Sequence, residues 1–290
     1  MTPGSPEWQK LITASKVAAI LGVSPWDSPR SVWHAMRGDL PREPATDAQS
    51  RGHYLEPAIL AWWRDKHDVG HDEGREYRLQ PEYLLETWAA ATPDMVACHP
   101  DDDTVLVEAK SAAYDNDWGD PGTDAIPAYY LCQVFWQMHV SGIHRCYVPV
   151  IFGRGLRFAE YVVDYVPEYG AALEAKMREF YDSLAGDPPD LDDTVATYEA
   201  VRKVHKDIER GEEVELDGID AEALVLSHAS LKDMEAIARR AKSVVIDAMG
   251  RAQYATHNGV RIARRQPRGE DVTFVVVAKP EDLSTEENAA

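Results

Sequence analysis

The segment Trp88–Lys110 reads WAAATPDMVACHPDDDTVLVEAK, and it decides which fold the chain adopts. Apolar residues alternate on both sides of an acidic turn, His99–Asp103, with the two-residue period of a β-strand. We therefore predict two strands, Trp88–Cys98 and Thr104–Lys110, that are joined as a hairpin.

Three side chains of this hairpin are expected to meet. Successive side chains of a strand point to opposite faces, so Glu108 and Lys110 project from the same face. Asp94 and Glu108 each lie seven positions from Asp101, and they face each other if the turn is centred there. Two carboxylates beside a lysine suit phosphodiester hydrolysis. Carboxylate oxygens hold Mg²⁺, the metal polarises the phosphate and acidifies a bound water, and the lysine positions that water or offsets charge.

Two polar residues outside the hairpin are candidates for the same site. Glu56 lies on a predicted helix upstream, where a third carboxylate would complete the metal site. Gln133 lies on a predicted helix downstream, and its amide would reach substrate or a metal-bound water. The competing interpretation is that Asp94 is a turn residue and that Glu108 and Lys110 form a solvated pair on an edge strand.

Capping residues and hydrophobic periodicity predict further elements on both sides of the hairpin. These elements are the helices Thr13–Gly22, Pro29–Arg37, one that contains Leu55–Trp63, one that begins at Pro127 and ends near Gly142, and Pro167–Leu184, and the strands Cys146–Phe152 and Leu156–Asp164. A loop without any period, Tyr114–Ile126, is long enough to be functional. The sequence predicts an α+β (α/β) fold in which helices flank a central mixed sheet.

A Pro-rich break, Gly186–Pro189, is the predicted domain boundary. It divides a domain of residues 1–187 from an acidic accessory module of residues 188–290. In that module we predict an acidic helical stretch, a helix from about Leu231 to Met249, and β-like segments at Gly259–Ala263 and Val272–Val277.

The composition restricts the classes of function. The chain has 290 residues and a formal charge of −20, and its acidic residues are spread along it. This charge argues against a protein that coats nucleic acid, because such proteins usually carry a basic face. If DNA is the substrate, a local cluster of basic groups and bound metal ions must offset the carboxylates.

Cysteine usage and hydropathy exclude other classes. The three cysteines, Cys98, Cys132 and Cys146, are widely spaced and indicate neither a disulfide framework nor a cysteine-ligated zinc or iron–sulfur site. This pattern fits a reducing cytoplasm. No apolar run approaches the roughly 20 residues that span a bilayer, so we expect no membrane partner.

The ordered set of motifs resembles the phage lambda exonuclease and YqaJ-like viral recombinase family. The resemblance covers about residues 7 to 165. The matching stretches are WQKLITAS (Trp8–Ser15), ILGVSPW (Ile20–Trp26), GHYLE (Gly52–Glu56), TPD (Thr92–Asp94), VEAK (Val107–Lys110), YYLCQ (Tyr129–Gln133) and MHVSG (Met138–Gly142). The resemblance implies a restriction-endonuclease-like core of the PD-(D/E)xK type that degrades duplex DNA from the 5′ end with Mg²⁺, for which Mn²⁺ is an alternative.

The resemblance also implies roles for individual residues. Asp94 and Glu108 would bind the metal, Lys110 would act on the water, Glu56 would assist the metal site, and Ser15 would help to hold the terminal phosphate. It further implies end resection in phage recombination, a single-strand annealing protein as partner, and a ring-shaped homo-oligomer.

The helix that begins after Thr13 is a second candidate region. Ser15 and Lys16 lie in its first turn, where unpaired N–H groups and the helix dipole favour an anion, so we predict that they bind a 5′-terminal phosphate. The competing interpretation is that Ser15 only supports the helix cap and that Lys16 is solvated. Lys10 is the basic residue within the shortened segment Trp8–Ser15, which lacks the arginine of the lambda-like pattern, and we include it among the substrate-binding residues. Met95 also departs from the family, which often has glycine there.

Two alternatives stay open. One is a PD-(D/E)xK nuclease of different polarity, of the Cas4-like or restriction type, although the Cas4-like version lacks its cysteine cluster here. The other is a non-catalytic module that binds DNA ends or a partner protein on the same fold.

Overall fold

The structure is a computed structural model, and it describes residues 5–41, 43–70, 76–101, 103–269 and 271–283. Asp102 of the predicted acidic turn lies outside the described residues. The chain forms two compact units, residues 1–208 and residues 209–290. Among the described helices, none combines the length and the apolar character that a membrane span requires.

The first unit contains helices α1 to α7 and strands β1 to β9. The helices are α1 (Pro6–Gln9), α2 (Ala14–Ile20), α3 (Pro29–Arg37), α4 (Asp47–His67), α5 (Ala128–Ser141), α6 (Pro167–Ser183) and α7 (Val195–Val204). The strands are β1 (Ile12–Thr13), β2 (Tyr77–Leu79), β3 (Tyr83–Leu85), β4 (Ala89–Ala91), β5 (Met95–Cys98), β6 (Thr104–Val107), β7 (Lys110–Ala112), β8 (Arg145–Phe152) and β9 (Arg157–Asp164).

A six-stranded mixed sheet forms the centre of the first unit. Strand β8 pairs in parallel with β6 and, further along, with β7, and it pairs antiparallel with β9. Strands β2, β5 and β6 continue the sheet in antiparallel order. Helices flank this sheet, so the predicted α+β class with a central mixed sheet is confirmed.

The predicted strand Trp88–Cys98 is wrong as a single element, because the chain changes sheets within it. Strand β4 pairs with β1 and β3 in a separate three-stranded sheet, and β5 belongs to the central sheet. Pro93 lies between them and has no N–H to donate to a ladder, which explains the interruption.

The predicted strand Thr104–Lys110 is also interrupted, at Glu108–Ala109, but it keeps its register. Leu106 pairs with Cys146 and Lys110 pairs with Val150, so the offset on β8 is the same before and after the break. No residue is inserted, and the alternation of side chains continues through Glu108.

The two faces of the central sheet contact different helices. On one face, Val96 and Leu106 pack in a cluster with Val134 and Met138 of α5. On the other face, Met95, Val107 and other residues pack with Leu60 and Trp63 of α4. Glu108 follows Leu106 by two positions, so its side chain points towards α5.

Several helices agree with prediction because their ends are marked by capping residues. Helix α3 has the predicted bounds, with Ser28 accepting the N–H of Ser31 and Gly38 in the left-handed region at φ 83°. Helix α5 begins after Pro127 and ends before Gly142, also at positive φ. Helix α4 contains the predicted segment Leu55–Trp63 and includes Pro57 in its interior.

The second unit consists of one long helix and a small sheet. Helix α8 (Gly218–Met249) begins well before the predicted Leu231, because Asp217 caps it by accepting the N–H of Asp220. Strands β10 (Tyr254–His257), β11 (Val260–Arg268) and β12 (Asp271–Val276) form an antiparallel sheet in that order. The sequence analysis missed β10.

The compact units divide after residue 208, beyond the Pro-rich break. Helix α7 packs with the first unit, where Thr197 Oγ1 donates to Ser28 Oγ at 2.7 Å. Arg30 also donates to the carbonyl of Pro189 at 2.6 Å. Residues 188–208, which the sequence analysis assigns to the accessory module, therefore pack with the first unit, and a domain boundary at residue 187 stays a prediction.

Candidate active site

The register of β5 and β6 brings Asp94 and Glu108 together. Met95 pairs with Val107, so Asp94 and Glu108 are the next positions of the same antiparallel register, as the turn geometry predicts. The main-chain N–H of Asp94 donates to Glu108 Oε2 at 3.4 Å, and the N–H of Ala109 donates to Asp94 Oδ2 at 2.8 Å. Each carboxylate is thus tied to the other's strand.

Glu108 is buried, with 3% of its surface exposed, and its carboxylate has side-chain donors on both oxygens. Oε1 accepts from Lys110 Nζ at 2.6 Å and from Gln133 Nε2 at 2.5 Å. Oε2 accepts from Gln137 Nε2 at 2.8 Å. The alternative of a solvated pair is therefore wrong, because the side chains of Glu108 and Lys110 are only 4% and 11% exposed.

Lys110 is held between a carboxylate, an amide and an aromatic ring. Besides its contact with Glu108, Nζ donates to Gln133 Oε1 at 3.1 Å and lies 4.9 Å from the centre of the Tyr130 ring. Burial alone would lower the pKa of Lys110, but the Glu108 and Asp94 carboxylates outweigh burial and raise it. The ammonium is therefore charged at neutral pH.

Asp94 is the carboxyl group of this cluster whose pKa is raised by its surroundings. Burial raises its pKa well above the usual range, the neighbouring Glu108 carboxylate raises it further, and Lys110 compensates only in part. A divalent cation would offset this repulsion.

The carboxylate pair fits Mg²⁺ in its donor chemistry. Asp94 and Glu108 supply hard oxygen ligands from adjacent strands, and Mg²⁺ usually takes one or two carboxylates plus water and substrate phosphates. Within the residues that the structure describes, no three His, Cys, Asp or Glu side chains form a group that would hold a metal by itself. The protein thus offers an incomplete set of ligands, which solvent and substrate would complete.

Glu56 lies apart from this hydrogen-bonded group. It is on α4, and its Oε1 accepts from Gln80 Nε2 at 3.1 Å. Its negative charge is near enough to contribute to the raised pKa of Asp94. A role for Glu56 as a third metal ligand stays a prediction.

The predicted phosphate-binding residues lie around the start of α2. Ser15 and Lys10 are exposed, and Lys16 is half-buried. Lys16 Nζ donates to the carbonyls of Gln9 and Leu11, both at 2.6 Å, so two of its three protons are used within the chain. Burial lowers the pKa of Lys16 to about 8. These side chains are not part of the hydrogen-bonded group around Glu108.

The sequence analysis missed Gln137 and Tyr130, although a signal for both was present. Tyr130, Gln133 and Gln137 follow the spacing that places residues on one face of a helix. Gln137 is 1% exposed, and its neighbour Met138 is fully buried. Two glutamines four positions apart on an otherwise apolar helix indicate a buried polar partner, and here that partner is Glu108.

Residues 7–144 match the model of the YqaJ-like viral recombinase domain. The resemblance of this chain to the YqaJ-like viral recombinase family is confirmed. The matched residues 7–144 contain the whole group of Asp94, Glu108, Lys110, Gln133 and Gln137, and also Glu56 and Ser15.

Comparison with individual proteins gives more distant likenesses. The chain is 22% identical over 258 residues to "Uncharacterized protein YqaJ" of Bacillus subtilis (strain 168), covering 86% of this chain and 78% of that protein. A solved structure of LHK-Exo in complex with dAMP is 19% identical, with a TM-score of 0.46, and covers 63% of this chain and 93% of its own. The alkaline exonuclease LHK-Exo from Laribacter hongkongensis is 18% identical, with a TM-score of 0.44, and covers 68% and 95%.

Proposed function

We propose that the protein is a metal-dependent deoxyribonuclease of the PD-(D/E)xK type that digests linear duplex DNA as a 5′ to 3′ exonuclease. Its role would be end resection in phage-type homologous recombination. The observation that carries the proposal is the buried Glu108 carboxylate, held by Lys110 and two glutamines directly beside Asp94. Burial of two carboxylates and an ammonium costs folding free energy, so a purely structural role for these three groups is unfavourable.

Each side chain of the group has a chemical task under this proposal. Asp94 and Glu108 hold Mg²⁺, or Mn²⁺ in its place, with Glu56 as the third carboxylate. When bound, the metal polarises the scissile phosphate and lowers the pKa of an attacking water. Lys110 stays charged, orients that water and offsets negative charge on the phosphate. Gln133 Oε1 accepts a hydrogen bond from Lys110 Nζ and so fixes the direction of its ammonium.

The activity is tested with linear duplex DNA in which one strand is labelled at its 5′ end and the other strand, with a different label, at its 3′ end. With Mg²⁺ we expect the label at the 5′ end to be released first, in mononucleotides or short products. The strand that ends in 3′ at the same duplex end should remain, as a single-stranded overhang that lengthens with time. Without divalent metal no product is expected. Calcium should support DNA binding without turnover, since its looser coordination positions the attacking water poorly.

Substitution of the central residues should remove cleavage. We expect Glu108→Gln and Lys110→Ala each to lower kcat by at least roughly a hundredfold, because the first removes a charge that would hold the metal and the second removes the cation that offsets charge on the phosphate. Glu86→Gln is the matched control, since Glu86 is an exposed carboxylate paired with Arg178. Substantial cleavage by a folded Glu108→Gln protein would remove this site from consideration.

Because Glu108 and Lys110 are buried, variants at these positions need a control for loss of stability. Glu108 and Lys110 are both largely covered, with side chains 4% and 11% exposed, although the strand pattern alone would allow an exposed face that supports little packing. Lys110→Ala leaves a buried carboxylate without its cation, which costs about 3–5 kcal/mol. The double variant Glu108→Gln/Lys110→Met removes both charges, and circular dichroism should show that it retains the fold.

The same assay separates the alternatives. Loss of the 3′-labelled strand, or internal cuts, would indicate a nuclease of the Cas4-like or restriction type. Metal-dependent binding without any loss of DNA would indicate the non-catalytic module. The ring-shaped homo-oligomer, the annealing partner and the cytoplasmic location remain part of the proposal, and light scattering at working concentration tests the first of them.

A further inference from the structure

The second unit carries a concentration of positive charge that the overall composition hides. Between Arg239 and Arg268 the sequence has eight basic residues and one acidic residue, Asp247, although the whole chain has a formal charge of −20. Four of the basic residues belong to β11, which has the sequence VRIARRQPR. Several arginines on one strand create a positive electrostatic potential around that strand, even though the net charge of the chain is negative.

Because side chains alternate along a strand, these arginines lie on both faces of the sheet. Arg265 lies on the side of the buried Ala263, and its guanidinium donates to the carbonyls of Gly250 and Ala252 at 2.6 and 2.8 Å. This arginine ties the sheet to the end of α8. Arg264 and Arg268 project from the opposite side and are exposed.

Two further residues extend the exposed side. Tyr254 of β10 pairs directly with Arg264, and the guanidinium of Arg261 lies over the Tyr254 ring, 4.2 Å from its centre. The β10–β11 pairing shifts register after Ala255, and this β-bulge brings Arg261 to the same side as Arg264. We call this surface the arginine face; it consists of Tyr254, Arg261, Arg264 and Arg268. Asp271 pairs opposite Arg268 and is the acidic residue on this side of the β11–β12 pairing.

We propose that the arginine face binds the phosphate backbone of DNA without regard to sequence. Guanidinium groups match phosphate oxygens with paired N–H donors, and the partly exposed Tyr254 adds an aromatic edge beside them. Arg264 and Arg268 lie about 13 Å apart along an extended strand, at roughly 3.3 Å per residue. This distance corresponds to about four stacked nucleotides at roughly 3.4 Å each. The site lies outside the YqaJ-like domain, and binding there requires no cleavage.

The experiment measures binding by the full-length protein in EDTA, with a labelled single strand and with its duplex, over a range of salt concentrations. The variant Arg261→Ala/Arg264→Ala/Arg268→Ala should bind at least roughly tenfold more weakly. The slope of log K against log salt should become shallower by about two to three, at about 0.9 per lost phosphate contact on duplex and 0.7 on a single strand. The substrate that loses more affinity, the single strand or the duplex, is the form of DNA that the arginine face binds.

Two matched variants make the result specific. Replacing the same three arginines by lysine keeps the charge, and affinity should stay within about threefold of the unmodified protein. Arg145→Ala/Arg178→Ala/Arg202→Ala removes equal charge from exposed ion pairs of the first unit and should change binding little. Unchanged affinity and salt slope in the alanine variant of the arginine face would overturn the proposal, as would equal losses in the control. Failure of the nuclease proposal would appear separately, as absence of metal-dependent cleavage.

Discussion

At the residue scale, the burial of Glu108 imposes the strongest demand on the surrounding side chains. A buried carboxylate is tolerated only when charge and hydrogen bonds compensate for lost hydration. Here the compensation comes from Lys110, Gln133, Gln137 and the N–H of Asp94. Because α5 supplies two of these donors, the position of that helix sets the geometry of the site.

The role of Gln137 can be tested by introducing a like charge. In the variant Gln137→Glu, a second carboxylate would face Glu108 Oε2 across a contact that is now 2.8 Å. Repulsion should displace Glu108 and lower kcat by roughly tenfold or more, with a smaller effect on KM. Gln137→Met, which removes only the hydrogen bond, should have an intermediate effect.

Gln49→Glu is the matched control for this experiment. Gln49 is exposed and caps α4 by accepting the N–H of Thr46, a position where glutamate is equally suitable. The control adds the same charge at an exposed position that has no contact with Glu108 among its hydrogen bonds. Equal kcat values for the two Gln→Glu variants would show that Gln137 does not position Glu108.

Lys16 gives a prediction about pH. If it binds a 5′-terminal phosphate, duplex ends with a 5′-phosphate should be digested faster than 5′-hydroxyl ends at pH 7. Because burial lowers the pKa of Lys16 to about 8, the ammonium loses its charge as the pH rises from 7 to 9, and the preference should fall over this range. Lys16→Met should abolish the preference at pH 7. A preference that is the same at pH 7 and pH 9 would assign Lys16 only its structural contacts with Gln9 and Leu11.

At the element scale, a chain of hydrogen bonds joins three elements of the first unit. The N–H of Asp101 donates to His99 Nδ1 at 3.2 Å, so His99 donates through Nε2 to His67 Nδ1 at 2.9 Å. His67 then donates through Nε2 to Glu160 Oε2 at 2.6 Å, and Lys66 donates to the other oxygen at 2.9 Å. The end of α4, the turn after β5 and strand β9 are thereby connected.

This connection predicts a pH-dependent contribution to stability. Burial would raise the pKa of Glu160, but the hydrogen bonds from His67 and Lys66 outweigh it and the pKa is lowered. A carboxyl group whose pKa is lower in the folded state stabilises the fold above its unfolded pKa, near 4.3, and loses that contribution as the pH falls through the folded value. Glu160→Gln should therefore cost about 1–3 kcal/mol at pH 7, and the difference should shrink below about pH 4.

Urea unfolding from pH 7 to pH 3 measures this difference. Glu174→Gln is the control, because Glu174 also accepts a hydrogen bond from a histidine, His139, but its side chain is 40% exposed. The control should lose less than about 1 kcal/mol. A stability difference for Glu160→Gln that does not change with pH would contradict the ionic explanation.

Elements were predictable from the sequence where local signals decide them. Ser28 and Gly38 mark both ends of α3, and Pro127 and Gly142 mark those of α5. The run from Trp88 to Cys98 indicates a single strand, because its small and apolar residues suit a strand throughout, but the structure divides it. The two-residue strand β1 and the strand β3 pair with β4 and draw it into another sheet, and no local pattern reveals such partners.

In the candidate site, too, only the features that local sequence signals decide were predictable. Residue spacing predicted the register of Asp94 and Glu108, since strand pairing about a turn is a local property. Burial of the site was not predictable, because it depends on the packing of α5 over the sheet. For the same reason Gln137 was missed, since its partner lies 29 positions away in the chain.

At the scale of the whole molecule, the division after residue 208 predicts the behaviour of fragments. Within the described residues, the three buried hydrophobic clusters lie between Ile12 and Leu184, and none of them includes a described residue of the second unit. A fragment of residues 1–208 should therefore unfold cooperatively and retain metal-dependent cleavage of DNA under the proposed function.

A shorter fragment, residues 1–187, is the informative comparison. It lacks α7 and so loses the buried Ala200 and the hydrogen bond between Thr197 and Ser28. We expect a loss of about 2–5 kcal/mol relative to the 1–208 fragment, which urea unfolding of the two fragments would measure. Equal stability of the two fragments would support the Pro-rich break as the boundary of the domain.

The change of sheets at Pro93 has a consequence for local opening of the molecule. Strands β4 and β5 are adjacent in the chain but belong to separate hydrogen-bond ladders, so one ladder can open without breaking the other. Amide protons of Ala89–Ala91 and of Met95–Cys98 therefore report on different opening events in hydrogen exchange. Asp94 lies on the link between them, and its carboxylate accepts the N–H of Ala109, so we expect the carboxylate to stay with the central sheet when the small sheet opens.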